Sequence, residues 1–300
     1  MKDRGKGGFG PEDLRARWRG LLGACALASC AAPASQSSIR ELPAAVPGSS
    51  APAPAAAAAF AASVHVALGV PRDAVPGDDV IVDHGVFVLS YNPARRLANW
   101  VAWRLTAADL GRAARSKEFR ADPLLPSIYP PVLPRAFHGT PYVRGHMCPS
   151  AERKASTGSN AETFVMTNIQ PQVPELNGGP WERMEQYERK LAERGRVVFL
   201  VAGGLFDDRA VTLRGGIAVP RASFKVLVSL EPGQDASTIT RATRTYAVIM
   251  PNVAAVGGTS WTSHLTTIDE VERQSGYDLL SAVEAGVQEG IEGREAVWLN

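Results

Sequence analysis

Apolar positions beyond residue 63 repeat with two different periods, and the switches between them mark the elements. Residues 80–90 and 99–105 cluster or alternate β-branched and aromatic side chains on either side of the turn-forming Tyr91-Asn92-Pro93. That pattern predicts two strands of a hairpin. Short apolar runs at 197–202, at 217–219 together with 224–230, and at 244–250 predict further buried strands, and 163–167 predicts a brief one. Between Pro180 and Glu193 the spacing becomes helical. Proline stands in the first turn, Trp181, Met184 and Leu191 share a stripe, and Arg189, Lys190 and Arg194 gather where they complement the helix dipole. Two short helices close the chain, one capped by Thr267 with Glu270 three positions on, the other after Gly276-Tyr277. Residues 114–141 hold six prolines and little periodicity, which predicts a long loop of the kind that carries function or moves. No internal repeat is present.

The first 62 residues follow neither period. Arg15, Arg17 and Arg19 precede a short apolar run from Leu21 to Ser29, too short to span a bilayer but the right size for the core of an export signal. It ends in Leu27-Ala28-Ser29-Cys30, which resembles the bacterial lipobox. Residues 1–29 are therefore expected to be a lipoprotein signal peptide and Cys30 the acylated first residue of the mature chain, an assignment that palmitate labelling of Cys30→Ala would check. From residue 31 to 62, 24 of 32 residues are Ala, Pro or Ser. Such a segment buries too little apolar surface to offset its ordering entropy. Residues 30–62 are read as a tether, reaching roughly 30 Å as a flexible coil. Residues 63–300 are read as the folded domain, giving a lipid-anchored protein of the bacterial envelope, facing the periplasm or the outer surface.

Composition narrows the partners. The chain has 300 residues, 45% hydrophobic and 21% charged, which excludes collagen, coiled coil and wholesale disorder. Its net charge of +2 comes from the amino-terminal segment, because beyond residue 29 there are 26 basic and 27 acidic side chains. Polyanion binding must then come from a local cluster. Three cysteines, two of them in the first thirty residues, leave neither a disulfide framework nor a four-thiolate zinc site.

The phosphate-loop lysine motif, the nucleotide-binding glycine fingerprint, paired zincin histidines and the CxxC pair are all absent. Attention falls on Arg144-Gly145-His146-Met147-Cys148-Pro149-Ser150, then Thr167-Asn168-Ile169-Gln170-Pro171-Gln172, then Leu176-Asn177-Gly178-Gly179-Pro180-Trp181 and Arg183-Met184-Glu185. Asn177 follows Asn168 by nine positions and Glu185 follows Asn177 by eight. The ordered set, together with Trp100-Val101-Ala102-Trp103, Phe119-Arg120-Ala121-Asp122, Phe224-Lys225-Val226 and Met250-Pro251-Asn252, resembles the ββα-metal family of sugar-nonspecific DNA/RNA endonucleases, of the Serratia nuclease and endonuclease G type.

That resemblance implies an α/β protein of the α+β type, with a mainly antiparallel central sheet flanked by helices. The ββα element would be the His146 region, the strand near 163–167 and the helix after Pro180. It implies hydrolysis of DNA and RNA with little sequence preference, using Mg²⁺ or alternatively Mn²⁺. His146 would be the general base, since an imidazole titrating near neutrality can take a proton from water. Asn177 would be the single direct metal ligand, its neutral amide oxygen suiting a hard cation that keeps most of its waters. Glu185 would hold metal-bound waters, although an isolated glutamate there could equally pair with Arg189 one turn on. Arg144 and Asn168 would contact phosphate, and a basic residue before Phe119 would stabilise transition-state charge, Lys117 matching best with Arg115 nearby. The motif departs from the family at Val143, where aspartate is usual. Cys148 reads as a small buried residue rather than a thiol nucleophile. The alternative function is a nucleic-acid-binding lipoprotein whose turnover is impaired through Val143 and Lys117. A structural envelope lipoprotein is a third reading, and it would show no polyanion affinity.

Overall fold

The computed structural model describes residues 63–208 and 210–296. The expected signal peptide, the tether and Cys30 lie outside the described residues. Seven strands form one antiparallel sheet in the order β1 (Val80–Asp83), β2 (Val88–Asn92), β3 (Leu97–Leu105), β6 (Val197–Leu205), β7 (Ala222–Leu230), β8 (Arg244–Pro251) and β9 (Leu265–Thr266). The remaining two, β4 (Val143–His146) and β5 (Ile169–Gln172), pair only with each other. Four helices accompany them: α1 (Thr157–Glu162), α2 (Glu182–Glu193), α3 (Ile268–Ser275) and α4 (Ala285–Ile291).

The central strands read as continuous apolar runs because the sheet is covered on both faces, which removes the usual apolar and polar alternation. One face carries Val101, Trp103, Val198, Leu200, Ala202 and Leu227, and packs against the β4–β5 hairpin and α2 through Ile169, Trp181 and Met184. The other carries Trp100, Phe199, Phe224 and Val226 and packs against Val66, Ile268, Val271 and Leu280. The α+β architecture expected from the resemblance is the one present.

Several local expectations need correction. Residues 80–90 are not one strand, because Asp83 and Gly85 (φ +71°) turn the chain, the Gly85 amide donating to Asp83 Oδ1. Residues 163–167 are not a strand either. Thr163 ends α1, Val165 forms one isolated bridge to Arg120, and Met166–Asn168 is a 3-10 turn, so the strand begins at Ile169. Asn160 and Thr163 satisfy local backbone groups there, which favours a turn over a ladder despite the β-branched composition. Ile217–Val219 lies in a loop before β7. The helix after Gly276 starts only at Ala285, because Gly276 is left-handed (φ +85°) and ends α3, while Tyr277 to Leu280 are spent filling the core.

The long loop is irregular as expected, yet well anchored. Ser116 N donates to Asn160 Oδ1, and Arg120 exchanges backbone bonds with Phe164 and Met166. Asp122 accepts from His84 Nε2 at 3.0 Å and from the Thr167 hydroxyl. These ties deliver Arg115 and Phe119 to the end of the β4–β5 hairpin.

Candidate active site

Side chains two apart on a strand share a face. On β4 that puts Arg144 and His146 together, with Gly145 turned the other way against the Gln172 side chain, which occupies the space a Cβ would need. The glycine of Arg-Gly-His is thus required by packing. Across from the hairpin, a wide turn at Asn177–Trp181 leads into α2, Gly179 breaking helical geometry at φ −111°, ψ −121° before Pro180, which has no amide hydrogen to lose. Glu182, Glu185 and Arg189 follow at helical spacing on one face of α2. The two elements are fastened by Trp181 Nε1, which donates to the His146 carbonyl at 3.3 Å.

Between them lies a cleft of about 300 Å³, lined by Arg115, Arg144, His146, Asn177, Glu185 and Arg189, with Glu182 and Ser150 at its wall. Phe164 lies edge-on to the imidazole at 4.9 Å between centroids, and Phe119 lies at 5.5 Å. The same rings carry the cations, Arg144 over Phe119 at 4.3 Å and Arg115 over Phe164 at 5.1 Å. His146 Nε2 is buried with no hydrogen-bond partner in the protein. Burial, then Arg115, then Arg144, push its imidazole down to about 3, so it stands neutral with a free acceptor nitrogen throughout the physiological range.

The carboxylate side of the cleft is tuned the other way. Burial raises Glu185 to about 7, with Glu188 adding to the rise and Lys225 and Arg189 opposing it. Arg189 lies 3.9 Å from Glu185, so the helix pairing is present, but inside the cleft rather than on a solvated face. Behind the cleft is a buried charge group not foreseen from sequence. Lys225 pairs with Glu188 at 3.0 Å, both side chains fully buried, and sits 4.3 Å over the Trp181 ring. Glu152, also fully buried, accepts from Trp103 Nε1 at 2.8 Å. Burial and then Glu188 push Glu152 well above the ordinary carboxylate range. The only signal for this group in the sequence was a lysine between strand residues, Phe224-Lys225-Val226.

Two expected contacts are corrected. Lys117 is exposed and does not line the cleft, whereas Arg115 does and donates to Ser150 Oγ. Asn168 is fully buried and spends its amide inside the protein, accepting from Cys148 N at 2.9 Å and donating to the carbonyls of Cys148 and Thr163. It clamps the chain after His146 instead of reaching a ligand. Asn168→Ala is expected to leave three buried backbone groups unpaired at about 1–3 kcal/mol each, before relaxation, and to lower the urea midpoint. An unchanged midpoint in urea titration would refute the clamp.

Val143 pairs with Gln172 at the outer end of the hairpin and does not line the cleft. Burial pushes the Cys148 thiol up to about 12, so it holds its proton and is no nucleophile. The cleft's donors suit a hard divalent cation: an amide oxygen at Asn177 and carboxylates at Glu182 and Glu185, the latter raised by burial in a way a cation would relieve. Three-carboxylate groups elsewhere among the described residues, Asp73/Asp78/Asp79 and Asp269/Glu272/Glu292, do not line it.

Known proteins share this arrangement. The family model for DNA/RNA non-specific endonuclease matches residues 69–286. A protein named Nuclease from Nostoc sp. is 38% identical over 237 residues, covering 77% of this chain and 86% of its own. Mitochondrial endonuclease G of Homo sapiens is 29% identical over 215 residues, covering 67% and 70%. Mitochondrial nuclease EXOG of Danio rerio is 32% identical over 216 residues, of whose length the match spans 60%. In fold, the chain superposes on one from the crystal structure of an EndoG/EndoGI complex with a TM-score of 0.63 at 24% identity, covering 73% and 91%.

Proposed function

The chain belongs to the DNA/RNA non-specific endonuclease family, phosphodiester hydrolases, and from that premise we propose that its cleft cuts both DNA and RNA with His146 as general base and Asn177 as the direct ligand of Mg²⁺. The observation that carries this reading is the partnerless Nε2 of His146 facing a cleft that also presents Asn177, Glu185 and two arginines. Arg115 and Arg144, steadied on Phe164 and Phe119, receive the phosphate oxygens. The neutral imidazole, in reach of a water beside that phosphate, takes its proton as the new P–O bond forms. Arg189 and the cationic wall offset the charge that accumulates on the phosphoryl oxygens. A divalent cation held by Asn177, with Glu182 and Glu185 anchoring its waters, would act as a Lewis acid on the departing 3′ oxygen. Glu185 serves that purpose only when ionised, so apparent metal affinity should weaken as pH falls through about 7.

The test is plasmid cleavage with and without EDTA, followed by Mg²⁺ titration of Asn177→Ala. Cleavage should stop in EDTA, and the variant should need more Mg²⁺ and regain part of its rate at high concentration. EDTA-resistant cleavage, or an unshifted Mg²⁺ requirement in Asn177→Ala, would sink the assignment. DNA binding without any cleavage would favour the impaired-enzyme alternative.

A further inference from the structure

A second cavity, sharing no lining residue with the cleft, opens where the loop before β4 meets the loop before β7. Its volume is about 540 Å³, within the roughly 300–1,000 Å³ typical of small-molecule sites. Arg96, Arg135, His138 and Arg214 line it, and no aspartate or glutamate among the described residues does. Val132, Ala136 and Ile217, all buried, supply an apolar floor.

The wall is built rather than incidental. Arg96 is the only described non-glycine residue at positive φ (+56°). Its guanidinium donates to the carbonyls of Gly215 at 2.5 Å, Pro130 at 3.1 Å and Pro131 at 3.0 Å, joining the two loops. Its Nε remains buried without an acceptor. Arg135 and Arg214 are exposed at the rim, and neither side chain has a salt bridge or hydrogen bond among the described residues. Cations converging on an apolar floor without a compensating carboxylate fit a ligand with a phosphate and a flat apolar ring.

Six residues separate His138 from Arg144 in the cleft, so their Cα atoms lie at most about 22 Å apart. Phosphates along one strand of a duplex recur every 3.4 Å or so of axis, making that reach roughly six nucleotides. Resting on the nuclease reading above, we propose that the cavity is a second nucleic-acid subsite. It seats one nucleotide of the strand whose neighbouring stretch occupies the cleft, base on the floor and phosphate on Arg135 and Arg214.

Arg135→Ala/Arg214→Ala tests this without endangering the fold, since both side chains stand at the surface. Single-stranded DNA of roughly 20 nucleotides, long enough to span cleft and cavity, is compared with a tetranucleotide. For the long substrate KM should rise several-fold with kcat unchanged, and the slope of log KM against log salt should fall by about 1.4, from two lost contacts at about 0.7 each. The tetranucleotide should be cut as before. Equal effects at both lengths, or none, overturn the subsite. Anisotropy of the labelled long strand in EDTA separates the two readings. Weaker binding by the variant supports the cavity even if wild type proves unable to cut, which would fault the nuclease assignment alone; equal binding faults the cavity whatever the turnover.

Discussion

His146→Ala is expected to lose about 10²–10⁴ in cleavage rate at neutral pH while keeping its affinity for nucleic acid and its metal requirement. The imidazole offers an acceptor nitrogen, whereas the phosphate contacts belong to the arginines and the cation contacts to Asn177 and the α2 carboxylates. The pH profile carries a further signature. In the free enzyme burial, Arg115 and Arg144 hold the imidazole near 3, a weak base. A bound phosphate brings negative charge against the same guanidiniums, which offsets their repulsion and raises the affinity of Nε2 for a proton. The acid limb of kcat, which reports the complex, should therefore lie above the limb of kcat/KM assigned to this histidine. Full rescue of His146→Ala by added Mg²⁺ would exchange the roles of His146 and Asn177 and defeat the assignment.

Lys225→Met should cost about 3–5 kcal/mol of unfolding free energy, read by urea titration. The substitution leaves Glu188 inside the protein without its cation and removes the charge that opposes the burial of Glu152 and Glu185. Removing both partners, as in Lys225→Met/Glu188→Leu, should recover much of the loss, because two apolar groups replace a pair that was expensive to desolvate. If the single and double variants are equally unstable, the lysine acts through packing on Trp181 and Trp103 and not through its charge.

The sequence was most legible where one local rule acted alone. Pro180 and the Trp181, Met184, Leu191 stripe marked α2, and Thr267 marked the start of α3, where its hydroxyl accepts from Glu270 N at 3.1 Å. Residues 163–167 misled because β-branched composition says nothing about the side-chain bonds that fold Asn160 to Thr163 into a turn. In the cleft, spacing located His146, Asn177 and Glu185, which sit on regular elements. It failed for Lys117, which lies in an irregular loop where a shift of two positions decides whether a cation faces the cleft, as Arg115 does. Asn168 was visible as a residue but not as a clamp, since its three partners are backbone groups up to 20 positions away. Lys225 and Glu188 lie 37 positions apart, and only the fold shows that they meet.

The seven-stranded sheet ends in strands of four residues at β1 and two at β9. An open strand edge is a template on which another chain can extend a sheet, and its danger grows with its length. Edges this short give an incoming strand few free amides and carbonyls to grip. A strand-rich protein of this kind can then accumulate at high concentration without its sheets seeding one another into fibrils, a resistance that lies in how the sheet ends rather than in how its core is packed.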